Sequence, residues 1–224
     1  MSGAAGIAPA FEPALLEAPA APAAADQRGR ILAATLATVG ERGYGATTVA
    51  EIAAEAGVSR ATLARHFDDK EACYLATYEV LVEWIGTGIR AALARRGGWP
   101  RAVRTAVEAI LDPIAADPRL ARFCAAEPLL AGASALERHR DTVGELARSL
   151  RVGREHCAWG EELPDQLEET MVSGAIWSVA RAAKSGGAES LLGLAPELTY
   201  FLLTPYVDVA EARRLAGLEQ VRSR

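Results

Sequence analysis

From Asp26 onward the apolar residues of this chain recur at three- and four-residue steps, and almost no segment alternates with period two. That pattern restricts the chain to helices packed on helices, because β-branched residues are sparse and no in–out alternation offers a half-buried strand. Ile31, Leu32, Leu36 and Val39 line one face of a helix read over 26–42, and Gly43 suits the left-handed cap that ends it. A second helix runs from Thr48 to Gly57, a third from Arg60 to His66, and a fourth from Lys70 to about residue 90. Further helices are read over 100–116, 118–131, 134–152, 164–185, 188–203 and 208–216, with Pro100, Pro118, Pro164 and Pro205 at boundaries. Pro113 and Pro128 lie inside helical patterns and predict kinks or breaks. The expected fold class is all-α. Residues 1–25 hold four prolines and no Lys or Arg, and read as a disordered Ala/Pro-rich tail; 217–224 read as a second flexible tail.

With 224 residues, 50% hydrophobic and 24% charged, the chain can bury a core without covalent staples. No run of 18 apolar residues occurs, so no membrane span is expected. The start lacks the basic residues and apolar block of an export signal, so a cytoplasmic location is expected. Cys73, Cys124 and Cys157 are odd in number and form no CxxC, which suggests neither a disulfide framework nor a zinc site. Only two of the 24 basic residues are lysine, a usage typical of GC-rich bacterial coding. The net charge of −5 argues against a protein that coats DNA without regard to sequence. Even residues 26–80 hold six Lys/Arg against eight Asp/Glu, so any DNA affinity there depends on where a few cations and backbone amides are placed.

One stretch has that placement. Residues 47–67 read TTVAEIAAEAGVSRATLARHF: a short helix, a glycine-containing turn and a second short helix, the spacing of a helix-turn-helix. Thr48 with Glu51 forms a capping box, Ser59 caps the next helix, and Gly57 takes the turn conformation that a side chain resists. Ile52, Ala53, Val58, Leu63 and Phe67 form the inner faces. The two helix N-termini leave amides free for phosphate. Thr48 is the first expected phosphate contact, followed by Ser59 and Arg60. Arg60 could instead reach a guanine edge, and Ala61 and Thr62 are short enough for a thymine methyl. Arg65, His66 and Lys70 are expected nearer the backbone. Each has a plainer reading: Thr48 and Ser59 are caps with or without DNA, Arg60, Arg65 and Lys70 are solvated charges, and His66 is a packed histidine.

From Arg28 to about Tyr78 the sequence resembles the TetR family of bacterial regulators. The matching residues are Gly43-Tyr44, Thr47-Thr48, Ile52-Ala53, Ala56-Gly57-Val58-Ser59, Thr62, His66-Phe67 and Lys70-Glu71. The resemblance implies a three-helix DNA-binding headpiece over 26–84, with its motif at about 47–66. It also implies a helical body over 85–216 that dimerises and holds a small-molecule ligand. The expected DNA-contacting set is Thr47, Thr48, Ser59, Arg60, Ala61, Thr62, Arg65, His66 and Lys70. Where the family commonly carries an aromatic pair ahead of the third helix's basic residue, this sequence has Leu63-Ala64, so a phenolic phosphate contact is not expected. Trp84, Phe123, Cys124 and Trp177 are candidate pocket residues, each of which also reads as core. Leu167, Met171, Gly174, Ala175, Ser178, Leu198 and Phe201 are the expected dimer face.

The implied function is a sequence-specific regulator, a repressor released from a palindromic operator by an apolar or amphipathic small molecule. No catalytic residue, metal ligand or cofactor is expected. The sequence has no HExxH, GxSxG, P-loop or GxGxxG, and the pairs Asp68-Asp69, Glu161-Glu162 and Glu168-Glu169 read as caps and surface charge. Two alternatives remain at this level: a non-regulatory architectural DNA protein, and a redox sensor using Cys73 or Cys157.

Overall fold

The structure, a computed structural model, describes residues 22–218 apart from 96 and 186. The helices are α1 (Pro22–Arg42), α2 (Val49–Glu55), α3 (Arg60–His66), α4 (Lys70–Leu93), α5 (Trp99–Ala116), α6 (Arg119–Ala121), α7 (Ala133–Arg151), α8 (Leu167–Ser185), α9 (Gly187–Leu203) and α10 (Val209–Leu215). No strand occurs among the described residues. The tails expected at the two ends lie largely outside the described residues, although α1 starts at Pro22, ahead of the expected Asp26.

One expected helix is broken. The segment read as a helix over 118–131 is the single turn of α6, a π-turn over Arg122–Ala126 and a 3-10 turn over Glu127–Leu129. Pro128 has no N–H to continue an α-helical ladder, and the π-turn closes with the Glu127 amide on the Arg122 carbonyl. Pro113, by contrast, sits inside α5 without ending it, and Pro196 does the same in α9.

The chain divides into two compact units. The first takes in the chain up to Trp84 together with Ala116–His139; the second takes in Ile85–Ala115 and the chain from Arg140 onward. The segment 116–139, which the sequence reading assigned to the body, thus clusters with the headpiece. Ile31, Leu32, Leu36 and Val39 of α1, Ile52 of α2, Leu63 of α3, Tyr74 and Tyr78 of α4, and Leu120 and Phe123 are all buried. Complete burial of an aliphatic or aromatic side chain of this size stabilises by about 1.5–3 kcal/mol. Gly57, with φ +63°, turns the chain between α2 and α3.

In the second unit Trp99, Val103, Leu150, Met171, Val172, Leu203, Tyr206 and Leu215 form the main core. Ile89, Ala92 and Ala106 make a smaller cluster. Glu168 corrects the surface-charge reading: it is fully buried at the start of α8. Arg154 donates to both its oxygens, at 2.7 and 3.0 Å, and the Tyr206 hydroxyl donates to Oε1 at 2.9 Å. The same guanidinium donates to the carbonyls of Gly160, Leu163 and Pro164, so one ion pair ties the 153–163 loop to α8.

Burial pushes the Glu168 carboxyl up, but the hydrogen bonds from Arg154 and Tyr206 outweigh it and hold the group below its ordinary value. The folded state therefore binds this proton less readily than the unfolded chain. The stabilisation is complete above the unfolded carboxyl value of about 4.3 and is lost as pH falls through the folded one. Thermal melts from pH 7 to pH 3 should show stability falling in acid, and Glu168→Gln should flatten that dependence. Arg154→Met, which leaves the buried carboxylate with Tyr206 and the longer Arg151 contact at 3.4 Å, should cost about 3 kcal/mol at pH 7, the low end for removing one partner of a buried pair.

Candidate nucleic-acid interface

The exposed surface of the headpiece is built by two capped helix starts. At α2 the Thr48 hydroxyl accepts from the Glu51 amide at 3.3 Å, while a Glu51 oxygen accepts from the Thr48 amide and hydroxyl, both at 2.9 Å. The other Glu51 oxygen meets Arg42 Nη1 at 2.6 Å. The Thr48 hydroxyl and amide hold the Glu51 carboxyl below its ordinary value, and Arg42 adds to this. Thr48 itself is exposed.

At α3 the Ser59 hydroxyl accepts from the Thr62 amide at 3.0 Å and lies 2.9 Å from the Thr62 hydroxyl. Arg65 Nη2 donates to that same Thr62 oxygen at 3.3 Å. Leu63 points inward, while Ser59, Arg60, Ala61, Ala64 and Arg65 are exposed and Thr62 is half-buried. The first two turns of α3 therefore present two guanidiniums flanking two bare methyl groups. His66 is half-buried beside Phe67, with ring centroids 6.5 Å apart, which places it nearer its packed reading than the open face.

Two expected contacts are redirected. Thr47 is buried, its hydroxyl donating to the carbonyls of Gly43 at 2.9 Å and Thr38 at 3.3 Å, so its side chain stitches the turn from within. Lys70 does not stand free: its ammonium donates to the Tyr44 carbonyl at 2.7 Å and the Thr47 carbonyl at 2.8 Å, and sits 3.9 Å from the Tyr44 ring centroid.

The candidate pocket residues scatter. Phe123 is fully buried in the first unit, stacked on Tyr74 at 4.5 Å, and Trp84 and Cys124 are half-buried there. Trp177 is 62% exposed on α8 of the second unit, with Arg181 over its ring. Burial pushes the thiols of Cys73 and Cys124 up to about 12. A thiol so hard to ionise is a poor redox nucleophile, which removes the support for Cys73 as a sensor.

The expected dimer face also divides. Met171 and Leu198 are corrected to core residues: both are buried within one protomer, where α8 and α9 pack together, and Leu167 packs against the same core. Gly174, Ala175 and Ser178 are half-buried. Phe201, 43% exposed, passes over Gly174, so Gly174, Trp177, Ser178 and Phe201 share an outward face. Trp177 is the member of this face that the sequence reading missed, although its i+3 spacing from Gly174 carries the signal.

Among the described residues no group of three or more His, Cys, Asp or Glu is placed to hold a metal ion, and no helix is long and apolar enough to cross a membrane.

Residues 31–77 match the family model of bacterial regulatory proteins of the tetR family. The chain is 38% identical over 92 residues to the HTH-type transcriptional activator FasR of Mycolicibacterium smegmatis, covering 41% of this chain and 42% of that protein. It is 39% identical over 72 residues to the HTH-type transcriptional regulator CymR of Pseudomonas putida, covering 32% of this chain and 36% of that one. Against these curated relatives the similarity thus spans well under half of their length. Among solved structures, the fatty acid degradation regulator FadR of Bacillus halodurans superposes with a TM-score of 0.69 at 22% identity, over 79% of this chain and 94% of that one. The transcriptional regulator FadR of Bacillus subtilis, solved with stearoyl-CoA, superposes with a TM-score of 0.58 at 16% identity, over 78% and 97%. At these identities the superpositions establish a shared fold. The likeness to the tetR family of bacterial regulatory proteins is thus carried by the helix-turn-helix region, residues 31–77.

Proposed function

We propose that this protein is a sequence-specific, DNA-binding transcription regulator and not an enzyme. It acts in the cytoplasm as a homodimer on a palindromic operator, and an apolar or amphipathic small molecule releases it. The observation that carries the reading is the exposed start of α3. Ser59 fixes the helix end, Leu63 is sunk in the core, and Arg60, Ala61, Ala64 and Arg65 are left outward at the first two turns. That is the part of a recognition helix that reaches base edges. Thr48, Ser59 and Thr62 are proposed phosphate or base-edge contacts beside them. His66 is a proposed backbone neighbour. The regulators named above support the class, and the stearoyl-CoA bound by one of the similar structures supports an amphipathic effector.

Dimerisation is proposed through α8 and α9, using the outward face of Gly174, Trp177, Ser178 and Phe201. Two copies of one helix pair meeting through small and aromatic residues suit an isologous interface. Half-sites one DNA turn apart, roughly 34–36 Å, would then be engaged together.

Selection of duplexes from a random pool by the full-length chain tests the reading directly: a palindromic consensus is expected, and no enrichment would refute it. On the selected duplex Arg60→Ala should cost about 1–3 kcal/mol per half-site and relax preference at one base position, as loss of a bidentate guanine contact does. Light scattering at micromolar concentration should return twice the chain mass. Trp177→Asp with Phe201→Asp should return the single-chain mass while the helical circular dichroism is kept. Met171→Arg should instead lower the melting temperature, because Met171 belongs to the core.

A further inference from the structure

Three arginines gather at the end of α1, and they are spent differently. Arg119 closes on Asp117, its Nη2 donating to Oδ2 at 2.7 Å, and reaches the Glu41 carboxylate at 3.2 Å. Arg122 donates through Nε to a Glu127 oxygen at 3.0 Å and through Nη1 to the Glu41 carbonyl at 2.8 Å. The other Glu127 oxygen accepts from the Tyr44 amide at 2.8 Å, so this pair is taken up with the turn between α1 and α2. Arg42, the last residue of α1, is the most open of the three at 56% exposed. Its Nη1 meets Glu51 Oε1 at 2.6 Å, and among the described residues its Nε and Nη2 have no protein acceptor.

Glu51 is itself fixed. Its Oε2 accepts from the Thr48 amide and hydroxyl, both at 2.9 Å, which turns Oε1 toward Arg42. A pair exposed on both sides adds little to stability. It does decide what charge stands beside Thr48: a bare carboxylate would repel a phosphate there, and a guanidinium paired with it cancels that charge while keeping donors to spare. Cations are scarce in this part of the chain, with six Lys/Arg against eight Asp/Glu over residues 26–80. Of those six, Arg28 lies over the Phe67 ring and Arg30 donates to the Ala56 carbonyl, while Arg42 faces solvent.

We infer, on the proposed reading of the headpiece as a DNA reader, that Arg42 is a further DNA contact: Glu51 aims its guanidinium beside Thr48, and its remaining N–H groups take one backbone phosphate of the operator. An arginine suits the place because its planar fork can hold a carboxylate on one edge and a phosphate on another. The end of α1 is not the element that enters the groove, so the contact fixes register and adds no base preference. Arg42 also lies ahead of the helix-turn-helix pattern, whose spacing gives no sign of it.

The test uses the full-length chain and the duplex that wild type selects from a random pool. Arg42→Gln should weaken binding about tenfold per half-site, the size of one lost hydrogen bond to a charged group. The slope of log K against log salt should fall by about one unit per half-site, and base preference should stay as in wild type. The melting temperature should hold, since the pair is exposed. Arg42→Lys, which keeps the charge and loses the fork, should keep the slope and lose part of the affinity. Glu51→Gln separates a contact from mere cancellation of the carboxylate: in that background Arg42→Gln should still lower both affinity and slope. If its effect vanishes there, Arg42 only masks Glu51 and the inference is overturned. Wild-type affinity and slope in Arg42→Gln overturn it too, as does a changed preference at one base position, which would make Arg42 a base reader. Failure of wild type to select any duplex would instead remove the DNA-reader reading, and this inference with it.

Discussion

The surface offered by α3 depends on the burial of one side chain. The helix has seven residues, and Leu63 is the member that is buried. A helix this short does not hold together alone in water, because nucleation costs more than two turns of hydrogen bonds return. Its order comes from outside: Leu63 in the core formed with Ile52 and α1, Ser59 on its first free amides, and Phe67 closing its end. Replacing Leu63 with a small residue would therefore unsettle the exposed face of α3 before it harmed the rest of the first unit.

What could be read from the sequence was local. The caps Thr48 and Ser59, the α2 and α3 spans and the inward set of Ile52, Ala53 and Leu63 follow from spacing within ten residues, and the structure has them as read. Spacing alone did not place Thr47 and Lys70, because polar residues at a helix-turn-helix look alike in sequence whether they face solvent or a carbonyl across the turn. Glu127 carried no signal at all, since its partner Tyr44 is 83 residues away and the helical period around it is broken by a π-turn. The α8 and α9 helices failed differently. They are apolar on more than one side, and periodicity does not say which side meets the protomer's own core; Met171 turned inward and Trp177 outward. Glu168, one of an acidic pair at a helix start, looked like ordinary capping charge until Arg154 and Tyr206 closed over it.

The two ion-paired clusters share a design. In each, an arginine pairs with a buried carboxylate and also takes backbone carbonyls: Arg122 that of Glu41 in the last turn of α1, Arg154 those of Gly160, Leu163 and Pro164 in the loop before α8. A guanidinium can do this because its donors form a rigid, planar fork, which a lysine cannot imitate. In both places the carboxylate is more deeply buried than its arginine, so loss of the cation is the more damaging change.

The bare methyl groups of Ala61 and Ala64 have a different kind of consequence. Both are exposed, and neither belongs to the buried core of the headpiece. Thr62 and Arg65, between and beside them, are tied to each other and to the Ser59 cap. The outward stripe of α3 thus separates into positions that shape the helix and positions that only face away from it. New side chains can be tried at 61 and 64 at little cost to folding, so what this face meets can change while the fold beneath it stays fixed.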